Sequence, residues 1–172
     1  MEDVSSRTGL TALVRGAITG WALAGGCLML VVVLVNVISV AGGALLGRPF
    51  PGDFELSEMG VCISAFAFLP YCQLTYSNVT ADIFTANASP RNIAVLTLVG
   101  SLVALVFGSL LLWRMWLGML DQKDYDYTTA ILQVPHWWAF LPILVSLFLL
   151  AAAALLTLLE QSQIVRQNLS NG

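Results

Sequence analysis

The stretch GAITGWALAGGCLMLVVVLVNVISVAGGALLG, residues 16–47, carries no charged side chain. About 20 apolar residues in a helix cross a hydrocarbon core of about 30 Å, so this run is long enough to span a membrane. The pattern recurs. Residues 59–81, 92–113 and 127–159 are equally free of Asp, Glu, Lys and Arg. Lipid offers no hydrogen-bond partner to the backbone, so such runs must be helical. The spacing predicts spans near residues 16–41, 55–77, 92–116 and 136–160, within a single membrane domain over 1–172. The expected fold is an all-α integral membrane protein, a four-transmembrane-helix bundle.

Composition agrees. Of the 172 residues, 58% are apolar and only 10% are charged, against about a quarter charged in soluble domains. So few charges cannot coat a globule of this size. The net charge of −3 comes without any Lys/Arg cluster, so nucleic acid is not an expected partner. Cys27, Cys62 and Cys72 form no CxxC pair, and His136 is the one histidine. No Cys/His metal set follows from these residues, and no cofactor is expected. The cysteines read as small apolar residues. The first apolar run is too long for a signal-peptide core, and Glu2 and Asp3 do not suit its basic leader, so no cleavable signal is expected.

An even number of spans puts both termini on one side. Arg7 and Arg15 are the cations nearest the first span, and the positive-inside rule then places both termini in the cytoplasm. Trp113, Trp116, Trp137 and Trp138 cluster where spans three and four meet the far interface, and Trp21 marks the near one. Indole rings favour the headgroup level, so these five are expected to be interface anchors.

Ionisable residues inside spans are the usual clue to ion or proton paths. Here the middle of every span lacks one, with Glu58 and Asp82 at the ends of span two. That argues against a self-sufficient transporter, and a single histidine argues against a haem bundle. Pro70 and Pro142 lie inside spans and are expected to bend them; Pro135 suits the first turn of span four. Gly16, Gly20 and Ala24 form a small-residue stripe on span one, and Gly100, Ala104 and Gly108 form another on span three. Such stripes allow close helix packing in lipid. Asn36 is a further candidate for an interhelical hydrogen bond. Asn-x-Ser/Thr matches at Asn78, Asn87 and Asn168 fall on the cytoplasmic side and read as unglycosylated.

The most informative segment runs from Arg48-Pro-Phe-Pro-Gly-Asp-Phe-Glu-Leu-Ser-Glu58 to Asn78-Val-Thr-Ala-Asp82. Acidic residues suit the start of a helix, and Asp53 is expected to cap its first turn. Glu55-Leu56 followed by Asn78 and Asp82 resembles the small membrane subunit of TRAP transporters, the tripartite ATP-independent periplasmic carriers of the DctQ-like family. Asn78 stands where that family has histidine, and Ala81 where it has valine. The run Tyr127-Thr-Thr-Ala-Ile-Leu-Gln-Val-Pro135-His-Trp-Trp-Ala-Phe-Leu-Pro142 is similar to the family's proline- and aromatic-rich entry to its last helix.

The resemblance implies a non-catalytic subunit of a multi-pass complex in a bacterial inner membrane. Its partners would be a large TRAP membrane subunit, a transient periplasmic solute-binding protein and the membrane lipids. The large subunit would carry the substrate and sodium sites and move organic acids by an elevator-type symport mechanism. The small one would extend its fixed scaffold, with no substrate site of its own. Asp53, Glu55, Asp121, Asp124 and Asp126 are then candidates for docking the solute-binding protein. Two other readings compete: the small subunit of a tricarboxylate-type tripartite carrier, and a four-helix membrane enzyme, for which the chain offers only scattered polar residues.

Overall fold

A computed structural model describes residues 2–75 and 90–170. It contains four long helices, α1 (Glu2–Leu46), α2 (Asp53–Leu74), α3 (Pro90–Asp124) and α4 (Trp137–Ser170). Asn78 and Asp82, the second half of the expected motif, lie outside the described residues, as does the Asn87 sequon.

Three of the helices are long and apolar enough to cross a membrane: α1 over Thr11–Leu46, α3 over Leu96–Asp124 and α4 over Trp137–Ser162. At about 1.5 Å per residue α1 extends for about 68 Å, roughly twice a hydrocarbon core. It must therefore project beyond any bilayer it crosses. The 22 residues of α2 give about 33 Å, enough in length. Its first six residues include Asp53, Glu55 and Glu58, and no stretch of it is as apolar as those of the other three.

The helices pack in the order α1, α2, α4, α3, with α1 touching α4 only lightly. The α1–α2 contact is close because small residues meet. A Cβ on Gly25 would stand 2.6 Å from the Ala67 Cβ, and one on Gly60 would stand 2.3 Å from Val32 Cγ2. The small-residue stripes read from the sequence are placed differently. Gly16 and Gly20 have nothing within 4 Å of a would-be Cβ, nor does Gly100, whereas Gly108 packs beside Leu150. Ala24 is exposed and Ala104 half-buried.

Polar side chains tie the row together. At the end bearing the chain termini, Arg15 donates from one guanidinium nitrogen to both oxygens of Glu160, at 2.7 and 2.9 Å. Both side chains are more than a third exposed, so this pair contributes little in water-facing surroundings. Beside it Ile18, Leu74 and Ala153 form a small core from α1, α2 and α4. Trp21 donates its indole N–H to Ser146 at 2.9 Å. Ser146 in turn donates to the Pro142 carbonyl at 2.8 Å, at the turn where proline interrupts the helix ladder. The Trp21 ring, expected at an interface, is half-buried and joins α1 to α4.

Deeper, Gln73 of α2 donates to Thr157 of α4 at 3.1 Å and to Ser101 of α3 at 3.4 Å. Thr157 also donates to Ser101, at 3.1 Å. All three are at most 4% exposed. Interhelical hydrogen bonds in membranes are worth about 0.6 kcal/mol on average and up to about 1.7. Gln73→Leu is expected to lower stability by an amount in that range. An unfolding midpoint in micelles equal to wild type would count against the triad.

Candidate functional site

Glu55, the described polar residue of the sequence motif, lies with Asn36, Ser39, Asp53 and Ser57 at the end of the bundle carrying the α1–α2 and α3–α4 connections. The chain leaves α1 through Gly47 at φ 65 and reaches α2 through Gly52 at φ 79, two turns in the left-handed region that favours glycine. Gly52 serves a second purpose. A Cβ there would fall 2.4–2.9 Å from three atoms of Leu132, so the α3–α4 loop can seat on this turn only because the side chain is absent.

Gly52, not Asp53, is the N-cap residue of α2, and it makes no side-chain cap bond. This corrects the expected role of Asp53. Asp53 Oδ1 accepts from its neighbour Phe54 N–H at 2.8 Å, while Oδ2 accepts the hydroxyl of Ser39 on α1. Ser39 Oγ also accepts from the Phe50 N–H at 3.1 Å, fixing the connection between the helices. One turn on, Ser57 donates to the Asp53 carbonyl at 2.7 Å and accepts from Asn36 at 2.6 Å. The α1–α2 corner is thus closed by Asn36 and Ser39 from one helix and by Asp53 and Ser57 from the other.

Glu55 extends this bracket to the other connection. Its Oε1 accepts from the Ile131 N–H at 2.7 Å and its Oε2 from the Leu132 N–H at 2.9 Å. A carboxylate holding two backbone amides is a charge-assisted, geometrically specific contact. The loop it grips is itself folded. Thr129 N–H donates to the Val134 carbonyl at 3.0 Å, and His136 N–H donates to the Tyr127 carbonyl at 3.0 Å. Thr129 Oγ1 accepts from Val134 N–H at 3.1 Å, and Gln133 takes φ 55 to close the turn. Pro135 lies two residues ahead of α4, and its carbonyl accepts from the Trp138 N–H at 3.1 Å.

The other sequence-derived residues are placed around this bracket. Leu56, the partner of Glu55 in the motif, is 37% exposed. Asp121, Asp124 and Asp126 are exposed, and Tyr125 and Tyr127 stand beside them with rings 5.8 Å apart. Trp113, Trp116 and Trp138 are more than half exposed; Trp137 is half-buried, edge-on to Trp138 and under the Lys123 ammonium at 5.7 Å. Among the described residues no group of three His, Cys, Asp or Glu side chains is placed to hold a metal ion.

Sequence reading did not anticipate Ser39, Gly52 or the Gln73 triad. Gln73 had a usable signal, being a lone amide in an otherwise apolar stretch. Ser39 had none, since its importance depends on how α1 meets α2.

These features are those of a helical membrane subunit braced at both ends. The family comparison agrees with them: the model described as "Tripartite ATP-independent periplasmic transporters, DctQ component" matches residues 32–163, more than three quarters of the chain. No curated protein matches the chain. On the breadth of that family match, together with the motif residues and the helical architecture, the chain belongs to the DctQ family of TRAP transporter components.

Proposed function

We propose that this chain is the non-transporting scaffold subunit of a sodium-coupled TRAP symporter for organic acids in a bacterial inner membrane, bracing a large subunit that works by an elevator-type mechanism. The observation that carries this reading is the division of labour among its surfaces. Polar side chains of all four helices, Trp21 with Ser146 and Gln73 with Ser101 and Thr157, are engaged with one another, while broad apolar faces have no neighbour. In the most apolar stretches of α1 and α3 only 17% and 11% of residues are buried within the chain. An isolated bundle would turn such faces to lipid alone. A stripe of Gly16, Gly20 and Ala24 with open space around it is shaped for a second helix to approach closely.

In this reading all four helices span the membrane near 16–41, 55–77, 92–116 and 136–160, both termini are cytoplasmic, and the bracketed end faces the periplasm. Trp113, Trp116, Trp137 and Trp138 then mark the periplasmic interface. The large subunit seats on the Gly16–Gly20–Ala24 side of α1, a stretch that precedes the family-matched region. Gly100 and Ala104 on α3 offer a second, shallower seat.

The test is copurification. A tagged chain, solubilised gently, is expected to bring down a much larger hydrophobic subunit; a chain recovered alone from membranes that still support uptake would sink the proposal. The solute-binding protein is taken to dock on the exposed carboxylates Asp121, Asp124 and Asp126. Neutralising all three is expected to slow its association several-fold at low salt and to flatten the salt dependence, with less effect on dissociation. Association kinetics unchanged by the triple substitution would exclude that docking site.

A further inference from the structure

An open groove of about 530 Å³ runs between α3 and α4. Ser109, Trp113 and Trp116 line it from α3, and Leu144, Val145 and Phe148 line it from α4. It lies on the other side of α3 from Gly100 and Ala104, which stand about 140–180° around the axis from Ser109. Lys123 comes two helical turns after Trp116, and Trp137 two turns before Leu144, so each returns to nearly the groove side of its helix. The two meet at the loop end, the Lys123 ammonium 5.7 Å from the centre of the Trp137 ring. Lys123 is exposed, and among the described residues no carboxylate pairs with it.

We propose that this groove holds one acyl chain of a zwitterionic phospholipid whose phosphate is met by Lys123. The lining decides between a lipid tail and a partner helix. Close helix packing in a membrane relies on small residues, and Trp113, Trp116, Leu144 and Phe148 would hold a helix off. An acyl chain is narrow enough to lie between them. From Trp137 to Phe148 α4 rises about 16 Å, close to one leaflet of a hydrocarbon core about 30 Å thick. The mouth then lies among indole rings, which favour headgroup depth. An ammonium at that level meets a phosphate through charge-assisted hydrogen bonds. Asp121 and Asp124 stand beside Lys123 on the last turn of α3, so a phosphate that brings its own cation suits this mouth better than a net anion. The inference rests on the loop end lying at a bilayer surface, part of the reading above, and does not depend on the partner subunit.

Native mass spectrometry of the purified full chain, with whatever subunit accompanies it, tests this directly. The micelles would hold equal amounts of phosphatidylcholine, phosphatidylglycerol and diacylglycerol with identical acyl chains. Phosphatidylcholine adducts are expected to exceed diacylglycerol adducts by roughly tenfold, the scale of one hydrogen bond to a charged group, and phosphatidylglycerol adducts by a smaller factor. Lys123→Gln is expected to bring the first ratio close to one, and Lys123→Arg to keep it. Ser109→Trp, at an exposed position on the groove lining, is expected to fill the groove and reduce the adducts of all three lipids. Diacylglycerol retained as well as phosphatidylcholine by the wild-type chain overturns the proposal, as does phosphatidylglycerol retained as well or better. A phosphatidylcholine excess that survives Lys123→Gln or Ser109→Trp places the lipid elsewhere and overturns it too. The same spectra report whether a large subunit is bound, so failure of the scaffold role and failure of the lipid site are read separately.

Discussion

Glu55→Ala is expected to free the amides of Ile131 and Leu132, raising their hydrogen exchange roughly tenfold or more while the α4 interior stays protected. These two N–H groups lie in a tight loop, and Glu55 is the acceptor that each one meets at 2.7 and 2.9 Å. Alanine offers them nothing. Glutamine keeps one carbonyl oxygen, so Glu55→Gln is expected to protect one of the two amides and expose the other. Aspartate is one methylene shorter and is expected to behave nearer to alanine. Exchange at Ile131 and Leu132 that is the same in Glu55→Ala as in wild type would show that the bracket does not hold the loop.

The consequence for function lies in what the loop carries. Asp126 stands on it, and Asp121 and Asp124 stand on the last turn of α3 that leads into it. Glu55 is thus a positioning residue for the surface proposed to meet the solute-binding protein, and its variants are expected to slow docking without changing the charge of that surface. The bracket also links both connections through one helix start. Ser39 on Asp53 fixes α1 to α2, and Glu55, two residues later, fixes α2 to the α3–α4 loop. An end built this way can act as one rigid piece, as a fixed scaffold requires.

Much of this was readable from the chain alone, and the reason is lipid. A membrane interior forces charge-free runs of a set length, so the uncharged stretches of α1, α3 and α4 announce helices without further information. The Glu55-Leu56 motif likewise marked the residue that organises the loop end. What stayed hidden was the direction in which each helix faces. In water an amphipathic stripe reveals the buried side, but here both sides of α1 are apolar. Gly16 and Gly20 therefore looked as fit for internal packing as Gly25. The structure places Gly25 against Ala67 and leaves the other two open. Asp53 shows the same limit: an acidic residue at a helix start suits a cap, but the Ser39 hydroxyl of a different helix claims one of its oxygens.

That ambiguity supplies the sharpest contrast among variants. Gly20 and Gly25 lie on the same helix, about 140° apart around its axis. A side chain at Gly25 meets the Ala67 Cβ at 2.6 Å. Alanine has no rotamer by which to retreat, so α1 and α2 must separate. Overpacking of this kind costs about 1–3 kcal/mol or more, and Gly25→Leu is expected to lower the unfolding midpoint in micelles and to loosen the corner at Asn36 and Ser57. Gly20→Leu meets nothing inside the chain, and leucine favours a helix over glycine. Its midpoint is expected to stay at or above wild type. Its effect should fall on assembly, with recovery of the large subunit reduced several-fold, because the close approach on that face is gone. A Gly20→Leu chain that copurifies at wild-type levels would move the seat of the large subunit away from α1, to the open face of α3. A Gly25→Leu chain as stable as wild type would refute the close packing of α1 on α2.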